Sequence, residues 1–131
     1  VIDFNYPTDL ADVLEAAADV LAVEGWTQGK LHDQNGYCAI GALNKAAGYD
    51  EACFNYQIGL NECERNYIIR TICKTTDAAQ EALIKHLNLD AGGDEDCIPF
   101  WNDAPGCTAE IVIDAMKHTA KDLRNRKEAA C

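Results

Sequence analysis

From Leu10 onward apolar residues return every three or four positions. Leu10, Val13, Leu14, Ala17, Ala18 and Leu21 share one helical face, while Asp12, Glu15 and Asp19 occupy others, so the spacing predicts an amphipathic helix over about 10–24. Thr8 or Asp9 can cap it, Pro7 stands outside it, and Gly25 supplies a left-handed stop that lets Trp26 fold back on Leu21. The period disappears from Thr27 to Tyr37, where Gln28, Gly29, Asp33, Asn35 and Gly36 predict a loop or a small hairpin turning at Asn35-Gly36. A second helix follows over about 38–47. Ile40, Leu43 and Ala47 form its stripe, Gly41 permits close contact, and Gly48 is its stop, with Tyr49 packing back on Leu43.

Residues 50–60 carry Cys53, Phe54, Tyr56, Ile58 and Leu60 without a clean period, and a short helix is the expectation. Asn61 with Glu64 has the form of a reciprocal cap. It opens a helix with Tyr67, Ile68, Ile69, Ile72 and Cys73 on its apolar side, ending near Lys74 with Thr75 and Thr76 as punctuation. Ala79, Ala82, Leu83, His86 and Leu87 then repeat at helical spacing before the Gly92-Gly93 break, and this pattern turns His86 inward. Between Asp90 and Gly106 the chain is acidic and turn-rich, yet Ile98, Phe100 and Trp101 call for burial. Thr108 starts the last helix, with Ile111, Val112, Ala115, Met116, Thr119 and Leu123 on or near its packed side. No segment asks for a central strand. The expectation is an all-α, compact single domain, residues 1–131, of about five helices with a long irregular loop before the last.

Charge narrows the partners. The 131 residues carry 22 acidic and 11 basic side chains, a formal charge of −11, which repels phosphate backbones and argues against direct nucleic-acid binding. The distribution is uneven. From Lys117 onward five basic residues face two acidic ones, a balance of +3, and the preceding chain carries −14. An acidic surface with a basic helix end complementing the macrodipole accounts for this, and a basic partner for the acidic body is also compatible with it. No apolar run reaches the length of a membrane span, and no basic-then-apolar leader is visible. A cytoplasmic protein is the expectation.

Seven cysteines, at 38, 53, 63, 73, 97, 107 and 131, include no CxxC pair. Their spacing favours buried free thiols acting as small hydrophobes, with disulfides and a metal site as alternatives. Asp94, Glu95 and Asp96 lack the spaced ligands of a calcium loop, and no phosphate loop, HExxH or GxSxG occurs. No cofactor and no metal is expected.

Three short motifs stand at the element boundaries: Gly25-Trp26-Thr27-Gln28-Gly29 after the first helix, Cys38-Ala39-Ile40-Gly41-Ala42-Leu43 opening the second, and Trp101-Asn102-Asp103-Ala104-Pro105 before the last. Their order resembles a family of small uncharacterised proteins of actinobacteria and their phages, classed as a domain of unknown function, with a pattern GWTQG, C-x-x-GAL and WND-x-P-x-x-T. The similarity covers nearly the whole chain and implies no activity. Before Thr108, where the family pattern has Arg, this chain has Cys107.

Two chemical readings of the motifs follow. Cys38 at a helix start after a glycine loop has the surroundings of a nucleophile. Gln28 could then serve an oxyanion, and His86 or His118 could act as base, oriented by Asn102 or Asp103. This would be a cysteine-dependent hydrolase or transferase. Packing accounts for the same residues, with Trp26 and Trp101 closing the core, Asn102 and Asp103 bonding turn amides and Thr108 capping. If the bundle end gathers Trp26, Gln28, Trp101, Asn102 and Asp103, they form a binding surface. The residues favour a non-enzymatic acidic accessory protein that binds a protein partner, basic in character, or a second copy of itself. Mimicry of a nucleic acid by the acidic body is the weaker alternative.

Overall fold

The computed structural model describes residues 6–49, 61–89 and 97–130, the side chains as far as 126. The five helices among them are α1 (Leu10–Glu24), α2 (Ala39–Ala46), α3 (Glu62–Leu87), α4 (Cys97–Asp103) and α5 (Ala109–Ala130), with strands β1 (His32–Asp33) and β2 (Gly36–Tyr37) between α1 and α2. The all-α expectation holds. The expected short helix over 50–60, the Gly92-Gly93 break and the acidic triplet 94–96 lie outside the described residues, as do Cys53 and Cys131.

Helix α1 lies against α5 and α2, and α3 closes the bundle. Its expected stripe is the buried one: Val13, Leu14, Ala17 and Ala18 have no exposed surface and Leu21 almost none. Small residues dominate the contacts. Ala39, Ala42, Ala79 and Ala120 are fully buried between the helices, and Leu43, Leu83, Val112 and Met116 supply the bulk. Alanine at these positions removes little side-chain entropy and lets backbones approach closely, so the bundle relies on close approach more than on large side chains. Asp9 caps α1 by accepting from Asp12 N–H (3.2 Å), and Thr108 Oγ1 accepts from Ile111 N–H at the start of α5 (3.3 Å). Asn61 and Glu64 form the anticipated reciprocal cap.

Several expectations are corrected. Helix α3 runs unbroken through Thr75 and Thr76. Thr71, Thr75 and Thr76 turn their hydroxyls back onto the carbonyls of Tyr67, Thr71 and Cys73, which satisfies the polar groups inside the helix and removes the reason for a break. In the stretch read as irregular, residues 97–103 form α4, with Pro99 in the first turn where a missing amide donor is tolerated. Phe100 is 67% exposed because a helix this short can bury only one edge, and that edge is Ile98 and Asn102, four residues apart. Ile111 is 45% exposed and Tyr67 68%. Tyr49 packs against the small cluster of Ala47 and Ile72 rather than against the main core that holds Leu43. Among the described residues Cys38, Cys63, Cys73 and Cys107 are free thiols, and no described cysteine is fully buried: Cys63 and Cys73 are exposed, and Cys38, Cys97 and Cys107 half-buried. No group of three His, Cys, Asp or Glu there could hold a metal ion, and no described helix is long and apolar enough to cross a membrane.

Candidate functional site

The hairpin between α1 and α2 is shaped by two glycines in contact. Gly25 has φ +102° and ψ 170°, outside the left-handed helical well expected for it, and Gly36 has φ +142°. A Cβ on Gly36 would lie 2.0 Å from the Gly25 carbonyl carbon, and one on Gly25 would lie 2.1 Å from the Asn35 oxygen. Only glycine permits this approach. It lets Tyr37 N–H donate to Gly25 O and Thr27 N–H to Tyr37 O, both at 3.0 Å. The strands pair His32 with Tyr37 and Asp33 with Gly36, so the turn is at Gln34-Asn35, one residue earlier than the sequence suggested. Asp33 explains the shift. Its carboxylate accepts from Asn35 N–H and from Thr27 Oγ1, both at 2.8 Å, and these bonds, led by the one from Asn35, hold its pKa below the ordinary carboxylate value.

Helix α4 reads this hairpin through one side chain. Asn102 is 1% exposed. Its Oδ1 accepts from the Trp26 indole N–H (2.8 Å) and from Ala39 N–H at the start of α2 (3.0 Å). Its Nδ2 donates to Thr27 O (3.1 Å) and to Asp103 Oδ1 (2.9 Å). All four hydrogen-bonding positions of the amide are filled. Around it, Gln28 Nε2 donates to the carbonyls of Asn102 and Ala104 (3.0 and 3.1 Å), and Gly29 N–H donates to Asp103 Oδ1 (2.9 Å). The first and third motifs are thus joined residue against residue, and Asn102 ties both to the second.

Cys38 caps α2 with sulfur. Its Sγ accepts from Gly41 N–H at 3.4 Å, and its own N–H donates to Leu31 O at 3.1 Å. Gly41 is required there, because a Cβ would lie 2.1 Å from that same Leu31 oxygen. Burial pushes the Cys38 thiol pKa up against the opposing helix-start amides, and the Asp103 charge adds to the rise. The thiol therefore stays protonated at neutral pH. Cys107 is shifted up for the same leading reason.

Beside the junction lies an open cavity of about 180 Å³. Gly29 and Leu31 of the loop, Cys38 and Ile40 at the start of α2, and Pro99 and Asn102 of α4 line it, with Lys30 and Asp103 also on its wall. Each of the three motifs contributes to it.

The structure brings Trp26, Gln28, Cys38, Asn102 and Asp103 into this one region. Trp101, expected to close the core, is only half-buried against it, and Asn102, expected to bond turn amides, takes the buried position instead. The histidines sit elsewhere. His86 lies at the α3–α5 contact with Nδ1 2.7 Å from Asp122 Oδ2 and its side chain 25% exposed, at the rim rather than enclosed in the core. Its ring centroid is 6.3 Å from that of His118. His118 lines a separate groove between α1 and α5, near Glu15, Lys117 and Arg124. No histidine lines the Cys38 cavity.

Sequence reasoning missed the central place of Asn102. The available signal was its spacing of four from Ile98, which puts a polar residue on the buried edge of a short helix. The chain belongs to a family of unknown function (DUF6197), whose model matches residues 5–122. No curated protein and no solved structure matches it.

Proposed function

We propose that the protein works without chemistry of its own, by binding another protein through the face that surrounds the Cys38 cavity. One observation carries the reading: three motif segments distant in sequence meet at a single apolar-walled cavity, and their polar side chains are spent on one another. Gln28 and Asn102 donate to main-chain carbonyls, the Trp26 indole donates to Asn102, and Asp103 accepts a main-chain amide. Such an arrangement fixes a surface in place. Leu31 on the cavity wall is 57% exposed, and Phe100, the residue after the lining Pro99, is 67% exposed; exposed apolar groups beside a pocket mark interaction sites. The setting we assign is that of an accessory protein of actinobacteria or their phages acting in the cytoplasm.

Photo-crosslinking tests this. A benzophenone amino acid placed at Leu31 or Phe100 should give one dominant protein adduct in cells of the source organism, absent when the probe replaces the equally exposed Tyr67. An adduct to a second copy identifies self-association as the binding event. Identical adduct patterns from all three positions, or none, would remove the proposal.

A further inference from the structure

The Cys38 cavity has the size and lining of a socket for one side chain. Its volume of about 180 Å³ is close to that of a void of roughly 150 Å³ that accepts a single benzene-sized apolar group, and below the several hundred Å³ of ordinary small-molecule sites. The walls are Leu31, Ile40 and Pro99. At its buried end Asn102 offers no unmet polar atom, since all four of its positions are taken. Cys38 completes the apolar lining with a half-buried thiol. Sulfur is the weaker acceptor at this helix cap, where Ser, Thr, Asn or Asp would serve better, so capping does not explain the residue. A soft, polarisable group facing an apolar occupant does.

Two charged groups flank the walls. Lys30 is exposed and makes no salt bridge among the described residues. Asp103 receives both of its hydrogen bonds on Oδ1, from Gly29 and Asn102, which leaves Oδ2 open. We infer that the cavity is an anchor socket for one large apolar side chain of a partner peptide, which places a carboxylate next to the anchor for Lys30 and directs an N–H to Asp103 Oδ2. This deepens the protein-binding reading and rests on it.

Selection of a displayed random heptapeptide library on the folded protein tests the inference. Wild type should enrich sequences with Asp or Glu adjacent to Leu, Ile, Met or Phe. Lys30→Glu should shift the enriched neighbour to Lys or Arg. Leu31 serves the fold through its carbonyl, which accepts from Cys38 N–H, so Leu31→Asp should keep the urea midpoint while weakening the selected synthetic peptide at least tenfold. Amide shifts on titrating that peptide should centre on Gly29, Leu31 and Ile40. An unenriched library overturns the inference, as does a selected peptide that binds Leu31→Asp equally or ignores the charge at 30. The two readings fail separately. Crosslinks from Leu31 that persist without peptide enrichment sink the socket alone, and loss of the crosslinks sinks the protein-binding function.

Discussion

The junction of the three motifs and the helical shaft below it are held by different physics. The shaft, where α1, α2, α3 and α5 meet, is close-packed alanine with a few large aliphatics, and its contacts are non-directional. At the junction a single buried amide satisfies an indole, two main-chain groups and a carboxylate, and glycine main chains touch where no Cβ fits. Packing of the first kind tolerates exchange of one apolar shape for another. A directional arrangement does not, because removing one partner leaves the others buried and unpaired. The motifs are thus the places where residue identity, rather than size or polarity alone, is demanded.

The sharpest way to break this contrast is a pair of size-conserving substitutions. Asn102→Leu should cost about 3 to 5 kcal/mol, since Trp26 N–H, Ala39 N–H and Thr27 O are orphaned together, whereas Leu83→Met in the shaft should cost less than about 1.5 kcal/mol. Urea denaturation of both variants measures the difference, and equal costs would erase the distinction. Next in size is Trp26→Phe, which keeps the aromatic bulk and deletes the donor to Asn102. A loss of about 1 to 2 kcal/mol is expected, the cost of leaving the buried Asn102 Oδ1 with Ala39 N–H as its one remaining donor.

Cys38→Ser should change stability by less than about 1 kcal/mol, because the better cap offered by a hydroxyl offsets its poorer fit to an apolar wall. In the native protein the Cys38 thiol, with its raised pKa, should resist iodoacetamide at pH 7 and react only on unfolding, as peptide mapping by mass spectrometry would show. Fast alkylation in the folded state would restore the nucleophile reading. The smallest effect concerns acid. The folded-state pKa of Asp33 lies below its unfolded value of about 3.9, so its contribution is complete above pH 4 to 5 and is lost as pH falls through the lower folded value. Amide signals of Thr27 and Asn35 should report the hairpin loosening in that window, and Asp33→Asn should abolish this step. Glu15, held low by its hydrogen bond to Arg124, has the same sign, but the pair is exposed on the α1–α5 surface and contributes little.

Legibility in the sequence followed the same division. Helices α1 and α2 and the Asn61–Glu64 cap were readable because an apolar period and a cap are local signals. The two threonines that suggested a break in α3 misled because their hydroxyls have an intrahelical solution invisible to residue type. At the site, Trp26, Gln28, Cys38, Asn102 and Asp103 were all singled out, yet their pairing was not readable, since partners more than 60 residues apart carry no periodic trace. His86 and His118 were candidates because a cysteine nucleophile needs an imidazole base, and the fold places them at the α3–α5 and α1–α5 contacts, away from Cys38.

The bonds of Asn102 to Trp26 and Thr27 span 76 and 75 residues of chain. Closing a loop of that length is entropically costly and has to await the helices that bring its ends together. On a ribosome, the first motif would emerge and stand without its partner until α3 and α4 had followed. The junction is then a latch that shuts last and opens first, so exchange of the Gly29 and Ala39 amides should outpace that of α1 core amides, and Asn102 substitutions should speed unfolding while leaving the folding rate nearly untouched.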